Sequence, residues 1–306
     1  MPGRFPAGCG IFDMNRPSIM FTGILVLIGI LFFFVSTCPS QTSLTEDQVV
    51  CNRIFSSAFE QKLIEKPIGN VVTTIGQKFL NAPYVVGTLD SSADEHLVVN
   101  LRGFDCVTHV ENMLALARAV KSNTLSFDAY KRQLQTIRYR NGIINGYASR
   151  LNYFSEWITD NQKKKIITDV TKNLGGVPYR KTINFMTEHR ASYRQLAVDS
   201  TYKAIQRTEK EISAIPLYYI PKKKISSIES KINTGDIIAI TTSVKGLDIS
   251  HTGIAIRTKD GSLHLLHAPD KNGVIHITTE TLSNYLLSHK NQTGIMVIKP
   301  LDSAPN

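Results

Sequence analysis

The feature that most constrains the fold is a change in the spacing of apolar residues near residue 212. Before this point apolar residues recur every three or four positions, as on one face of an α-helix. After it the chain breaks into short runs rich in β-branched residues, which turn sequences separate. The runs are residues 236–241, 252–258, 263–267, 273–278 and 294–299. This order predicts an α+β fold, in which a helical N-terminal half packs on a C-terminal antiparallel sheet.

Helical spacing in the first half of the chain predicts several separate helices. They are expected at residues 60–80, 104–120, 127–137, 147–158 and 185–210. Residues 40–48 are polar and are interpreted as a linker.

The N-terminus carries an apolar run at residues 19–35, inside an uncharged stretch. Arg4 and Arg16 precede the run, which gives the layout of a secretory signal peptide. The run is also long enough to span a membrane, so an uncleaved N-terminal membrane anchor is the alternative. Lipidation of Cys38 is a third interpretation. All three predict an exported protein of the periplasm or cell envelope.

The net charge is +10, which favours anionic partners. No nucleic-acid-binding motif is present in the sequence, so we do not expect nucleic acid among them. The lysine runs at residues 163–165 and 222–224 are interpreted as solvated surface. Beyond the leader only Cys51 and Cys106 remain, too few for the usual four-ligand zinc site, and no metal or cofactor is expected. Export permits a disulfide between them, although the spacing does not require it.

The pair Asp105-Cys106 stands at the start of the helix expected at residues 104–120. Aspartate is a favoured N-cap, which makes Cys106 the first helical residue. The partial positive charge of a helix N-terminus favours a thiolate over a thiol, so Cys106 is a candidate nucleophile. A buried structural cysteine is the competing interpretation, and it is the commoner one for a lone cysteine.

Three histidines that could serve as a base lie in the strand half, at His251, His264 and His267. Side chains alternate between the two faces of a strand, so the length of the intervening hairpin loop decides which pair shares a face. A three-residue loop at residues 259–261 places Gly253 opposite His267, with His251 one diagonal step away on the same face. A two-residue loop brings His264 to His251 instead. The residues alone are compatible with either loop length.

Six short motifs occur in order along the chain: FDCVTHVENML, YASRLNYFSEWI, INFM, GDIIAITT, SHTGIAI and LLHAP. Together they resemble the N-acetylmuramoyl-L-alanine amidase-like family, formerly a domain of unknown function. This family belongs to the NlpC-type branch of papain-like cysteine hydrolases, which cut the bacterial cell wall. The resemblance covers the region from about residue 73 to the C-terminus and implies a hydrolase domain at 73–306. The apolar run and the polar stretch after it divide the rest into a leader or anchor (1–40) and a linker with an N-terminal helical segment (41–72).

The resemblance also implies roles for three residues. Cys106 matches the nucleophile, His251 matches the base, and His267 matches the polar residue that orients the base, which favours the three-residue loop. Two positions depart from the family pattern. His109 stands where an aromatic residue is usual, and Asn152 stands where many relatives have histidine.

Four further residues are candidate substrate contacts on the same resemblance. Tyr84 matches a tyrosine that helps line the oxyanion side. Tyr147, Arg150 and Tyr153 lie within one family motif, and an arginine there could hold a carboxylate of a murein stem peptide.

The function implied is hydrolysis of an amide bond in peptidoglycan, between N-acetylmuramic acid and the L-alanine of the stem peptide. The alternatives are a D-glutamyl-diaminopimelate endopeptidase of the same fold and a wall-binding protein without activity.

Overall fold

The computed structural model describes residues 44–90, 92–269 and 273–302. Its α-helices are α1 (Glu46–Glu60), α2 (Ile68–Gln77), α3 (Cys106–Lys121), α4 (Phe127–Arg138), α5 (Phe154–Lys163), α6 (Phe185–Glu188), α7 (Asp199–Ser213) and α8 (Leu282–Ser288). Its strands are β1 (Ile167–Asp169), β2 (Val177–Tyr179), β3 (Leu217–Pro221), β4 (Ile237–Thr242), β5 (Ile249–Arg257), β6 (Leu263–His267), β7 (His276–Ile277) and β8 (Gln292–Pro300).

The strands form one sheet in the order β2-β3-β8-β4-β5-β6-β7, and β1 also pairs with β8. Every pairing of these strands is antiparallel, which confirms the α+β layout with an antiparallel sheet. The central strands β4 and β8 are buried along most of their length. In this order β5 and β6 lie between the buried β4 and the edge formed by β7.

Helix α3 is the central helix of the fold, and it packs against α2, α4 and β5. Residues from Thr108 to Val120 are almost all buried, including Val110, Met113 and Leu114, which lie in the main apolar core. A second apolar cluster, which includes Ile238 and Leu265, forms under α8 on the sheet. Because both flanks of its strands are covered, the sheet holds the start of α3 and strand β5 in one fixed arrangement.

Helices α1 and α2 belong to the same compact unit as the rest of the chain from residue 44 onward. Thr45 caps α1, and Ile54 and Phe55 of α1 lie in the main core with Val71 of α2. Helix α1 thus begins inside the segment interpreted as a linker, and residues 44–72 are an integral part of the packed fold. Within the described ranges no helix has the length and apolarity needed to cross a bilayer. The apolar run at residues 19–35 lies outside those ranges.

Three of the expected helices are interrupted. Residues 147–149 form a short 3-10 turn, and α5 begins only at Phe154. The helix expected at 185–210 is divided by two 3-10 turns between α6 and α7. The segment 60–80 holds a 3-10 turn before α2, because Pro67 occupies the N-cap of that helix.

Candidate active site

Cys106 is the first residue of α3, and Asp105 is its N-cap as expected. The Asp105 carboxylate accepts a hydrogen bond from the Thr108 backbone N–H at 2.7 Å, and the Thr108 hydroxyl lies 2.9 Å from the Asp105 backbone N–H. This reciprocal capping box fixes where the helix begins. As the first helical residue, Cys106 has a backbone N–H with no acceptor inside its own helix.

Thr252 ties the start of α3 to the sheet. Its hydroxyl donates a hydrogen bond of 2.8 Å to the backbone carbonyl of Cys106. Thr252 directly follows His251 in β5, and the same contact therefore fixes the nucleophile candidate relative to the base candidate. Thr252 stands inside the SHTGIAI motif, but nothing in the local sequence marks it as the residue that contacts the start of α3.

The hairpin between β5 and β6 has the three-residue loop. Ala255 pairs with Leu265, and Ile254 pairs with Leu266. The next step of this register puts Gly253 opposite His267. Gly261 has a φ of +85°, a left-handed conformation that glycine adopts without steric cost. His264 turns to the other face, where its Nδ1 lies 2.8 Å from the Thr278 carbonyl oxygen.

His251 and His267 form a direct pair. Nε2 of His251 lies 2.7 Å from Nδ1 of His267, and the two rings meet edge to face. Gly253 gives this pair room, because a Cβ there would lie 3.0 Å from the Cβ of His267 and 2.8 Å from the Leu265 side chain. A hydrogen bond from Nε2–H of His251 to His267 leaves Nδ1 of His251 as its proton-accepting atom.

Burial determines the charge states around this pair. Desolvation raises the pKa of the Cys106 thiol to about 12, and the Asp105 carboxylate adds to the rise, although hydrogen bonds from Thr252 oppose it. Desolvation and the nearby charge of His251 lower the pKa of His267 to about 2. Burial thus opposes the thiolate that the helix start favours at Cys106 and stabilises the neutral thiol. His267 is a neutral hydrogen-bond partner at any physiological pH.

Cys106 and His251 lie between two cavities and line both of them. The first, here called the aromatic cavity, has a volume of about 360 Å³, and its aromatic lining residues are Tyr147, Tyr153, Phe154, Phe185 and Tyr193. The second, here called the basic cavity, has a volume of about 370 Å³, and its lining includes Tyr84, Tyr285, His289 and Lys290. Both volumes fall in the range of small-ligand sites. A substrate that extends to both sides of Cys106 fits this arrangement.

Comparison with known proteins identifies the family. The family model described as N-acetylmuramoyl-L-alanine amidase-like matches residues 74–295, well over half of the chain. The chain belongs to this family.

Solved structures give the same family likeness. A crystal structure of an N-acetylmuramoyl-L-alanine amidase from Bacteroides uniformis is 36% identical, with a TM-score of 0.72 over 76% of this chain and 99% of that chain. A Bacteroides fragilis structure provisionally named a xylanase is 37% identical, with a TM-score of 0.69 over 73% and 98% of the two chains. A Legionella pneumophila protein at 21% identity shares the fold, with a TM-score of 0.66 over 84% and 95%. The search of curated proteins found no match.

Each of the four residues expected to contact the substrate lines one or the other of the two cavities. Tyr84 lines the basic cavity, next to Cys106 and His251. An isolated β-bridge joins Tyr84 to Phe104, which lies two residues before Cys106, and so ties the Tyr84 segment to the start of α3. Tyr147, Arg150 and Tyr153 line the aromatic cavity instead. Their roles in substrate binding stay predictions.

Arg150 and Tyr153 already have strong internal partners. The Arg150 guanidinium donates to Glu95 at 2.7 and 3.0 Å and to Asp90 at 2.8 Å, which balances its charge. The Tyr153 hydroxyl donates to Glu209 at 2.6 Å and accepts from the Met186 backbone N–H at 2.8 Å. These contacts favour a role in shaping the cavity wall over direct capture of a substrate carboxylate by Arg150.

The two positions that depart from the family pattern differ in their surroundings. His109 is fully buried one turn beyond Cys106 and meets the Phe104 ring edge to face at 6.0 Å. It packs as an aromatic residue would. Asn152 lines the aromatic cavity, where its side-chain amide donates to the Arg150 carbonyl at 3.0 Å.

Cys51 and Cys106 are both free thiols, so the disulfide that export would permit is not formed. Within the described ranges no group of three or more histidine, cysteine, aspartate or glutamate side chains is placed to hold a metal ion.

Proposed function

We propose that this protein is an exported peptidoglycan hydrolase of the papain-like, NlpC type, which cleaves the amide between N-acetylmuramic acid and L-alanine. Cys106 is the nucleophile, His251 the base, and His267 the residue that orients the base. The observation that carries the proposal is the contact of Thr252 with Cys106 beside the His251–His267 pair. It places a thiol at a helix start and a paired imidazole on the walls of the same two cavities. Family membership supplies the substrate class.

The reaction begins with a neutral thiol. His251 takes the proton from the Cys106 sulfur at Nδ1 as the sulfur attacks the lactyl carbonyl of the muramyl group. Because the pKa of the thiol is raised by burial, proton transfer and attack are coupled, and no thiolate accumulates beforehand. The oxyanion that forms is stabilised by backbone N–H groups at the start of α3.

The second half of the reaction returns the enzyme to its resting state. The imidazolium of His251 protonates the departing L-alanine nitrogen, the carbon–nitrogen bond breaks, and a muramoyl thioester remains on Cys106. Water, deprotonated by His251, then hydrolyses the thioester and restores the thiol. Throughout, neutral His267 accepts the Nε2–H of His251 and holds the ring in its reactive tautomer.

The proposal that the protein is exported is based on its N-terminal segment. The apolar run at residues 19–35 with its basic flank delivers the chain to the periplasm or cell envelope, either as a cleaved signal or as a membrane anchor. Peptidoglycan lies in that compartment.

Digestion of purified peptidoglycan tests the proposal. The wild type should release stem peptides with a free L-alanine amine, identified by mass spectrometry, and Cys106→Ala should release none. Cys51→Ala is the matched control, since Cys51 is a buried thiol that lines neither cavity, and it should retain activity. A free diaminopimelate amine would show the endopeptidase instead. Unchanged digestion by Cys106→Ala would refute the cysteine mechanism, and no digestion by the wild type would leave a wall-binding protein.

A further inference from the structure

The two cavities beside Cys106 differ in charge. Of the described residues that line the basic cavity none is acidic, while Lys290 and His289 both reach its wall. The Lys290 side chain is exposed and makes no ion pair with any described residue. Its charge is therefore available to a ligand.

Two more lysines add positive charge around the basic cavity. Lys222, from the lysine run read as solvated surface, donates from Nζ to the His289 carbonyl at 2.9 Å. Lys181 donates from Nζ to the carbonyl of Thr242, a residue of the cavity wall, at 2.6 Å. Both lysines are bound to neutral carbonyl oxygens and form no ion pair with a described residue, and of the two only Lys181 has an acid, the buried Asp248, that acts on its charge. Glu280 interacts electrostatically with His289 but does not line the cavity.

The aromatic cavity has no comparable excess of cations. Among the described residues of its lining, the one arginine or lysine is Arg150, which is paired with Glu95 and Asp90. Its other acid, Asp248, is buried and accepts a hydrogen bond from the Ser155 backbone N–H at 2.7 Å. An anionic part of a substrate is thus attracted to one side of Cys106 and not to the other.

We propose that the basic cavity binds the α-carboxylate of the second stem-peptide residue, D-glutamate, and that Lys290 selects stem peptides in which this carboxylate is free over those in which it is amidated. The inference rests on the proposed function. In a stem peptide the D-glutamate is joined onward through its γ-carboxyl, which leaves the α-carboxylate exposed. A residue of extended chain spans at most roughly 3.6 Å, so this group lies within one to two residues of the scissile nitrogen. Cys106 itself lines the basic cavity, so a group one to two residues from the scissile nitrogen can lie inside it.

The recognition is a charge-assisted contact. The Lys290 ammonium donates to the carboxylate, with Lys222 as a second cation behind it. An amide at the same position is neutral and presents an N–H₂ donor toward the ammonium, so it loses this attraction. The aromatic cavity then receives the muramyl sugar, whose apolar ring faces suit aromatic side chains.

Two muramyl tripeptides that differ only in the α-carboxylate or α-amide of D-glutamate test this assignment. With wild type, kcat/KM should be about 10-fold higher for the carboxylate substrate. In Lys290→Gln this preference should fall to within about twofold, through loss on the carboxylate substrate alone. Lys203→Gln, at an exposed lysine of α7 that lines neither cavity, should keep the wild-type preference. Equal loss on both substrates in Lys290→Gln, or an unchanged preference, overturns the proposal.

Binding separates this inference from the proposed function. Cys106→Ala, measured by calorimetry with the same two tripeptides, should bind the carboxylate form more tightly, and the added Lys290→Gln change should abolish that difference. If wild type cleaves neither tripeptide but this binding preference is seen, the proposed reaction fails and the anion site stands. If both tripeptides are cleaved and bound equally well, the reaction stands and the anion site fails.

Discussion

His109 provides a quantitative test of how burial controls charge next to the site. Its side chain is fully buried, and neither ring nitrogen has a hydrogen-bond partner among the described residues. Desolvation, with a smaller contribution from the charge of His251, lowers its pKa to about 3. In the unfolded chain the imidazole has its ordinary pKa of about 6.5. The unfolded state therefore binds a proton that the folded state excludes, and stability due to this residue is lost as the pH falls below about 6.5.

The size of the effect follows from the two pKa values. Between pH 7.5 and pH 5.5, protonation of the unfolded-state imidazole lowers the free energy of unfolding by about 1.4 kcal/mol. His109→Phe removes this contribution and keeps an aromatic ring against Phe104. The variant should accordingly gain about 1.4 kcal/mol relative to wild type on going from pH 7.5 to pH 5.5.

Urea denaturation at the two pH values measures this difference. The fluorescence of Trp157, the single tryptophan and fully buried in the folded state, reports unfolding. Comparison of the two proteins cancels the contributions of the other histidines and of the buried carboxylates, provided that they are unaffected by the substitution. A stability difference that is the same at both pH values would contradict this prediction, since it would mean that buried His109 keeps an ordinary pKa.

Three further predictions concern other buried groups. His267→Ala should lower kcat about 10- to 100-fold in steady-state assays, because the His251 imidazolium loses a hydrogen bond worth about 1.5–3 kcal/mol, and His267→Asn should recover part of the loss. Alkylation of Cys106 by iodoacetamide should accelerate about tenfold per pH unit from pH 6 to pH 9, since burial raises its pKa to about 12; a plateau in this range would reveal a stabilised thiolate. Arg138→Ala should lower the free energy of unfolding by about 3–5 kcal/mol in urea, because it strands the buried Glu111 carboxylate; a loss below about 1 kcal/mol would contradict this.

The parts of the site that follow local rules could be predicted from the sequence. Asp105 caps α3 because its side chain competes well for the free N–H groups of a helix start. The choice between His264 and His267 depended on one loop length, which the family resemblance favoured and the strand register confirms. The alternation of side chains along β5 and β6 then places His251 beside His267.

Other features depend on partners that are distant in the sequence. Arg150 looked available to a substrate, but its charge is balanced by Asp90 and Glu95, and nothing in the local sequence marks that pairing. The local sequence likewise does not show the desolvation that raises the pKa of the Cys106 thiol, because this desolvation comes from the packed tertiary fold. Strand β2 was missed since it is three residues long with Pro178 at its centre, and only pairing with β3 makes it a strand.

The proposed mechanism requires a thioester between Cys106 and the muramoyl group. Rapid acid quench of the wild type during turnover of a muramyl tripeptide, followed by proteolysis and mass spectrometry, measures this directly. A muramoyl adduct is expected on the peptide that contains Cys106, and its accumulation should be abolished in His251→Ala. An adduct that carries L-alanine and D-glutamate would contradict the assigned bond, and continued turnover in Cys106→Ala would contradict the cysteine mechanism itself.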